Sequence, residues 1–253
     1  MSAMPLYGAL STEFYALDKP EAPPDAFDFY EALAREAGGP VHEPMCGTGR
    51  YLLGLLERGV DASGSDASPR MLEACRAAAK LRDLTPELSQ QSLEALSCAR
   101  PPALVFIPSG SFGLLIDDAL VKAALRRVHD VLAPGGRFLV EAEKLLPGQA
   151  ELSGVWGGRW VDRADGSRLV FSWLVQYSGA PDITTSLHRY ELLEGGKLVA
   201  AEFEELRVRS YRPEDFGNML ESAGFHDIQA LKPYERAPAD ESDDAIVFSA
   251  RKA

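Results

Sequence analysis

Two patterns of apolar and polar positions alternate along the chain between residues 40 and 142. Short runs bounded by turn residues are typical of buried strands and lie at residues 40–43, 61–66, 103–107 and 137–141. Amphipathic segments between these runs predict helices over residues 49–58, from Pro69 onward and over 117–132, and Ser68 is expected to cap the second of them. The alternation predicts an α/β fold with a doubly wound, mostly parallel sheet.

Further elements are predicted at both ends of the chain. Residues 8–17 are expected to form a helix, and Asp25 is expected to cap a second one. Near the C-terminus we predict a helix over residues 213–223, then strands near Ile228 and over 246–250.

The pattern changes after Pro147 to the twofold alternation of half-buried strands, as in the run from Phe171 to Tyr177. Asp165-Gly166 and Gly195-Gly196 are typical hairpin turns. We therefore divide the chain into an α/β core and an antiparallel lid. The core comprises residues 1–150 and 211–253 and carries an N-terminal helical cap; the lid comprises residues 151–210.

The charge balance narrows the choice of partners. The chain has 26 basic and 38 acidic residues and a net charge of −12. It has no basic patch, since its only adjacent pair of arginines, Arg126-Arg127, lies within a predicted amphipathic helix. Nucleic acid is therefore not expected as a partner.

Three cysteines without disulfide or metal spacing favour a cytoplasmic location. We see no signal peptide and no apolar stretch of about 20 residues, so no membrane partner is expected.

A glycine-rich loop carries the main chemical signal. Cys46-Gly47-Thr48-Gly49 follows a predicted strand that ends in Glu43, and Asp66 ends the next strand. Glycine lets the backbone approach a ligand closely, and a carboxylate at the second strand end can bind a ribose diol. The dinucleotide fingerprint Gly-x-Gly-x-x-Gly fails because position 52 is Leu, which disfavours a nicotinamide oxidoreductase. An adenosine ligand without a diphosphate fits better.

Residues 41–72, VHEPMCGTGRYLLGLLERGVDASGSDASPRML, resemble the first two motifs of class I S-adenosylmethionine-dependent methyltransferases. Leu132-x-Pro134-Gly135-Gly136 is similar to the element before the fifth strand of that family. The resemblance implies a seven-stranded, Rossmann-like sheet and S-adenosyl-L-methionine as cofactor, with S-adenosyl-L-homocysteine as product. A lid after the fifth strand resembles those of glycine and amino-sugar N-methyltransferases.

The resemblance also implies the cofactor contacts. Glu43 would hold the loop and approach the methionine amino group, and Asp66 would bind the ribose hydroxyls. Other expected contacts are Cys46, Gly47 and Gly49 in the loop, Ala67 and Met71 at the adenine, Ser92 and Leu93 at its edge, and Pro108 and Ser109 near the methionine. Ser92 replaces the acid that is usual at its position.

Several side chains keep two interpretations. Tyr15 lies on the N-terminal helix that covers the cofactor in related enzymes, but it could equally pack that helix on the core. His188 is the histidine of the lid and a candidate general base, although single histidines on strands are more often structural. The tryptophans of the lid could line an acceptor pocket or form the lid's own core. Met45, in a position where a small residue is common, is expected to point away from the cofactor, into the first helices.

These features predict methyl transfer from S-adenosylmethionine to an amine or hydroxyl of a small molecule, by a monomer or homodimer without a metal. No nucleophile or catalytic dyad is needed, because the methyl group is already activated and alignment provides most of the rate. The alternative is a protein that binds S-adenosylmethionine as a sensor or assembly partner without transferring the methyl group.

Overall fold

The computed structural model describes residues 6–145, 154–177 and 182–253. A seven-stranded sheet has strands β1 (Val41–Pro44), β2 (Ala62–Asp66), β3 (Glu87–Gln90), β4 (Leu104–Ile107), β5 (Arg137–Glu143), β10 (His226–Leu231) and β11 (Ala245–Arg251), in the order β10-β11-β5-β4-β1-β2-β3. β11 pairs antiparallel with both of its neighbours, β10 and β5, and the remaining neighbours pair parallel. The predicted fold class is confirmed.

Helices cover both faces of this sheet. They are α1 (Ala9–Asp18), α2 (Pro24–Ala37), α3 (Leu52–Glu57), α4 (Pro69–Leu81), α5 (Asp118–Val131) and α6 (Pro213–Ser222). Phe106 and Leu139 pack with α2, α3 and α4, whereas Val105 and Phe138, on the opposite face, pack with α5 and α6. Ser68 caps α4 as predicted by accepting the Met71 amide hydrogen.

One local prediction was wrong, and one strand was not predicted. Asp25 does not cap α2, because that helix begins one residue earlier, at Pro24, and Asp25 lies in its first turn. β3 was not predicted from the pattern. Among the described strands it pairs with β2 alone, at the edge of the sheet, and its largely exposed residues lack an apolar alternation.

The missing third glycine of the loop motif is explained by close packing. Leu52, at the start of α3, is fully buried above β2. A Cβ atom on Gly64 would lie 2.7 Å from Leu52 Cδ2. The glycine that lets helix and strand approach therefore lies on the strand, not at position 52.

The lid is a separate four-stranded antiparallel sheet of β6 (Trp156–Asp162), β7 (Arg168–Tyr177), β8 (Ile183–Glu194) and β9 (Lys197–Arg209). The predicted turns at Asp165-Gly166 and Gly195-Gly196 connect β6 to β7 and β8 to β9, so both are confirmed. The domain boundaries around this sheet stay a prediction.

One face of the lid sheet packs against α1. Leu10 and Phe14 of the helix form a small cluster with Leu169, Tyr190 and Leu192 of the sheet. Arg159 Nη2 also lies 2.7 Å from Asp18 Oδ2, and Arg163 pairs with Glu13. α1 is therefore the main bridge between the lid and the core. Within the described residues, no helix is both long and apolar enough to span a membrane.

Candidate functional site

The glycine loop turns tightly at the carboxyl end of β1. The Gly49 amide donates to the Cys46 carbonyl at 2.9 Å, and both Gly47 and Gly49 have positive φ, 55° and 81°. A Cβ atom on Gly49 would collide with Cys75 Sγ at 2.5 Å, whereas one on Gly47 would meet nothing within 4 Å. Gly49 therefore permits packing behind the loop, and Gly47 leaves open space in front of it.

Asp66 lies beside this loop, at the end of β2. Its Oδ2 atom accepts the Gly47 amide hydrogen at 2.9 Å, and Oδ1 accepts that of Ser68 at 2.8 Å. Burial raises the pKa of Asp66, although these backbone amides favour its ionised form. The two amides fix the carboxylate and leave each oxygen a further lone pair for a ligand.

A cavity of about 860 Å³ opens in front of the loop and Asp66. We call Met45, Gly47 and residues 66–71 and 91–93 the core wall, and residues 6–9 and 202–204 the lid wall. Tyr15, Ser111, Leu114 and Leu115 complete the lining. The volume is in the upper part of the range for small-molecule sites, and the lining extends from the core to the lid.

Seven of the residues predicted to bind the cofactor line this cavity. They are Tyr15, Gly47, Asp66, Ala67, Met71, Ser92 and Leu93. The other five, Glu43, Cys46, Gly49, Pro108 and Ser109, are not among the lining residues. The structure thus brings together the residues predicted to contact the nucleoside. Several residues predicted to contact the methionine part of the cofactor lie behind the cavity surface. All of these binding roles stay predictions.

Glu43 is buried behind the loop. Burial raises its pKa to about 8, although Arg50 and the Leu52 amide favour the ionised form. Its Oε2 atom is buried and has no hydrogen-bond partner. An unpartnered carboxyl oxygen at this depth is costly, so a ligand ammonium or an ordered water molecule would stabilise it.

Ser109 is hydrogen-bonded to Arg50. Its hydroxyl oxygen accepts a hydrogen bond from Arg50 Nη2 at 2.6 Å, and its amide donates to Glu141 Oε2 at 2.9 Å. The Arg50 guanidinium lies 5.8 Å from the centre of the Tyr15 ring, close enough for a cation–π contact. Arg50, which the sequence analysis did not select, is therefore held beside a lining residue.

Cys46 is packed as a small apolar residue. It is almost fully buried, and burial first, then nearby acids including Glu43, raise the pKa of its thiol. A thiol that stays protonated is a poor nucleophile.

His188 is not among the lining residues. Its ring makes an edge contact with Phe171 at 4.9 Å between centres, and burial lowers its pKa to about 4. A neutral, weakly basic ring in an aromatic contact favours packing over proton removal. The general-base role of His188 stays a prediction.

The expectation for Met45 was wrong, and of the two interpretations of the lid tryptophans the acceptor pocket is not supported. Met45 lines the cavity and packs against the cluster on the α5–α6 face, not into the first helices, and its φ is 58°. None of the lid tryptophans lines the cavity. Trp156 and Trp160 are half exposed, and Trp173 packs on Phe171. Trp156 and Trp160 are exposed because the strand register places them on the sheet face opposite to Phe171.

Tyr7, Glu202 and Glu204 are lining residues that the sequence analysis missed. Glu202 Oε2 accepts the Leu10 amide hydrogen at 2.8 Å, and Oε1 accepts that of Ala9 at 3.1 Å, so Glu202 caps α1. Burial raises the pKa of the Tyr7 hydroxyl, as do Tyr15 and the nearby acids. In the part of the chain that the structure describes, no three His, Cys, Asp or Glu side chains cluster as a metal site.

Comparisons with known proteins agree with this architecture. Residues 41–136 match the family model for a methyltransferase domain. No curated protein matches the sequence. Among solved structures, an S-adenosylmethionine-dependent methyltransferase from Clostridium acetobutylicum is 18% identical, with a TM-score of 0.78, and the match covers 96% of this chain and 97% of the other.

Two further structures are similar over nearly their whole length. The sugar N-methyltransferase KedS8 from a Streptoalloteichus species is 20% identical, with a TM-score of 0.76 and coverage of 100% of this chain and 98% of the other. CalS10, an amino pentose methyltransferase from Micromonospora echinaspora with S-adenosylmethionine bound, is 17% identical, with a TM-score of 0.72 and coverage of 98% and 99%. The fold and the predicted resemblance to class I methyltransferases are confirmed.

Proposed function

We propose that the protein transfers a methyl group from S-adenosyl-L-methionine to an amine or hydroxyl group of a small molecule. The observation that carries this proposal is a single cavity that has Asp66 on its core wall and Glu204 on its lid wall. Methyl transfer requires cofactor and acceptor to share one space from which water is excluded. The match of residues 41–136 to a methyltransferase domain supports the same conclusion.

The core wall fits the cofactor. Asp66 has free lone pairs for two ribose hydroxyls, Gly47 leaves open space beside it, and the unpartnered oxygen of Glu43 lies behind the loop. Ala67 and Met71 would hold the adenine, with Ser92 and Leu93 at its edge. When bound, S-adenosylmethionine supplies a methyl group that its sulfonium already activates.

The residues of the chain then have to bind and orient rather than react. Arg50 and Tyr15 are suited to hold a carboxylate, because a guanidinium and a phenol both donate hydrogen bonds. α1 and β9 line the cavity on the lid side, where they would shield a bound ligand from water. Orientation of this kind can lower a barrier by about 7 to 11 kcal/mol, so no metal or nucleophile has to be invoked.

The remaining lining suits a small amphipathic acceptor. Leu114, Leu115 and Phe203 offer apolar surface, and Ser111 and Glu204 offer polar atoms. The net charge of −12 disfavours nucleic acid. The names of two structural neighbours, a sugar N-methyltransferase and an amino pentose methyltransferase, support an amine over a hydroxyl.

A turnover experiment tests the proposal. The protein is incubated with S-adenosylmethionine and a panel of small amines and alcohols, and S-adenosylhomocysteine and methylated products are quantified by mass spectrometry. We expect stoichiometric formation of both products with at least one acceptor. Tight cofactor binding without turnover on any acceptor would instead support the sensor or assembly role.

A further inference from the structure

Glu204 presents an incompletely paired carboxylate at the lid wall. The residue lies on β9, is only 4% exposed and lines the cavity. Its Oε2 atom accepts the Tyr7 amide hydrogen at 2.9 Å. Its Oε1 atom is buried and has no hydrogen-bond partner. Such an atom costs free energy unless a ligand completes it.

The neighbouring acid on the same strand shows what Glu204 lacks. Glu202 accepts amide hydrogens at the N-terminus of α1, where the helix dipole favours a negative charge. Glu204 has one backbone donor, from Tyr7, which precedes the helix. The burial of the Glu202 carboxylate is therefore explained by its role as the cap of α1. The burial of the second carboxylate oxygen of Glu204 is not explained in this way.

The groups around Glu204 do not neutralise it. His188 lies directly opposite on β8, but burial lowers its pKa to about 4, so the ring is uncharged near neutral pH. The Ser11 hydroxyl is a neutral donor, and Glu202 adds a like charge. Burial raises the pKa of Glu204, and no cation is among the described groups that act on it. A buried carboxylate in these surroundings is stabilised by a positively charged partner.

We propose that Glu204 determines the acceptor specificity of this site and that its unpartnered oxygen accepts a hydrogen bond from a protonated amine of the acceptor. The inference rests on the proposed function, since it assigns the lid wall to the acceptor. A hydroxyl group could donate to the same oxygen but would leave the buried charge unbalanced. A charge-assisted hydrogen bond is also about twice as strong as a neutral one.

Two probes of nearly equal shape separate these cases. Cyclohexylamine is a cation at neutral pH and cyclohexanol is not, and both are small enough for the cavity. Binding of each probe to protein saturated with S-adenosylhomocysteine is measured by ligand-observed NMR. The variants are Glu204→Gln and, as a matched control, Glu205→Gln, which changes an exposed acid on the same strand. Circular dichroism checks that both variants fold.

Wild-type protein and the Glu205→Gln control are expected to bind the amine about tenfold more tightly than the alcohol. Glu204→Gln should lose this preference and keep its affinity for S-adenosylhomocysteine within about twofold. Equal or absent binding of the amine by the wild type overturns the inference even if the variant does not fold, as does a preference that survives in a folded Glu204→Gln. Failure of S-adenosylhomocysteine to bind at all would instead reject the proposed function.

Discussion

The core wall and the lid wall of the cavity have different origins. The core wall lies at the carboxyl ends of parallel strands, between two apolar clusters, and backbone amides fix its Asp66 carboxylate. The lid wall is formed by residues 202–204 of β9 and by residues 6–9 at the start of α1. The antiparallel sheet that contains β9 reaches the core mainly through the small cluster around Leu10 and Phe14. Its outer face leaves Trp156 and Trp160 half exposed. A wall held by two apolar clusters and backbone amides suits the proposed cofactor, and a wall attached through one small cluster suits the proposed acceptor.

The largest expected effect concerns the pH dependence of stability that Glu43, buried behind the core wall, produces. The folded pKa of Glu43 is about 8, against an ordinary value of 4.5. Between these values the folded chain holds a proton that the unfolded chain has released, so this group's contribution to the free energy of unfolding falls as pH rises. It levels off above pH 8. The slope is at most about 1.4 kcal/mol per pH unit.

Glu43→Gln should remove this contribution, which denaturant unfolding at several pH values measures as a flatter decline than in the wild type. Glu73→Gln, on the exposed side of α4, is the matched control and should leave the slope unchanged. Identical slopes in wild type and Glu43→Gln would show that Glu43 is ionised when folded.

The second largest effect concerns cofactor affinity. Asp66→Ala removes the carboxylate proposed to bind the ribose and should weaken S-adenosylhomocysteine binding by about 1.5 to 3 kcal/mol in calorimetry. Asp61→Ala, just before the opposite end of β2, removes an exposed ion pair with Arg100 and should leave the affinity unchanged. If Asp66→Ala bound S-adenosylhomocysteine as tightly as the wild type, the nucleoside would not bind at the core wall.

The attachment of the lid gives a smaller effect. Glu202→Ala leaves the first amides of α1 without their carboxylate and should lower the free energy of unfolding by about 1 to 2 kcal/mol. Hydrogen exchange should show the loss first in α1. Glu205→Ala is the control on the same strand. If α1 keeps its protection, the helix is held by Leu10 and Phe14 rather than by its cap.

The smallest effect is expected from His188→Gln. A packing role predicts a change in turnover of less than about tenfold, whereas loss of a general base costs about 100- to 10,000-fold. Affinity for S-adenosylhomocysteine should stay within about threefold, since His188 does not line the cavity. A hundredfold loss of turnover, with the acidic limb of the pH profile removed, would establish His188 as the base.

The same contrast explains what could be predicted from sequence. The core can be predicted because its buried strands, the helix cap Ser68 and the glycine loop each have a local sequence pattern. Asp66 can be selected because it ends a predicted strand. β3 has no such pattern in the sequence, since an exposed edge strand needs no apolar alternation. Glu202 and Glu204 depend on the register that pairs Glu204 with His188, which composition cannot reveal.

Titration of the wild-type protein with S-adenosylhomocysteine, and separately with NAD, tests the central claim most directly. Isothermal calorimetry should show one saturable site per chain for S-adenosylhomocysteine, in the low micromolar range or tighter, and a thermal shift that grows with ligand concentration. NAD should give neither saturable heat nor a thermal shift, because Leu52 replaces the third glycine of the loop that binds a dinucleotide diphosphate. No heat and no thermal shift with S-adenosylhomocysteine, or equal binding of NAD, would contradict the account.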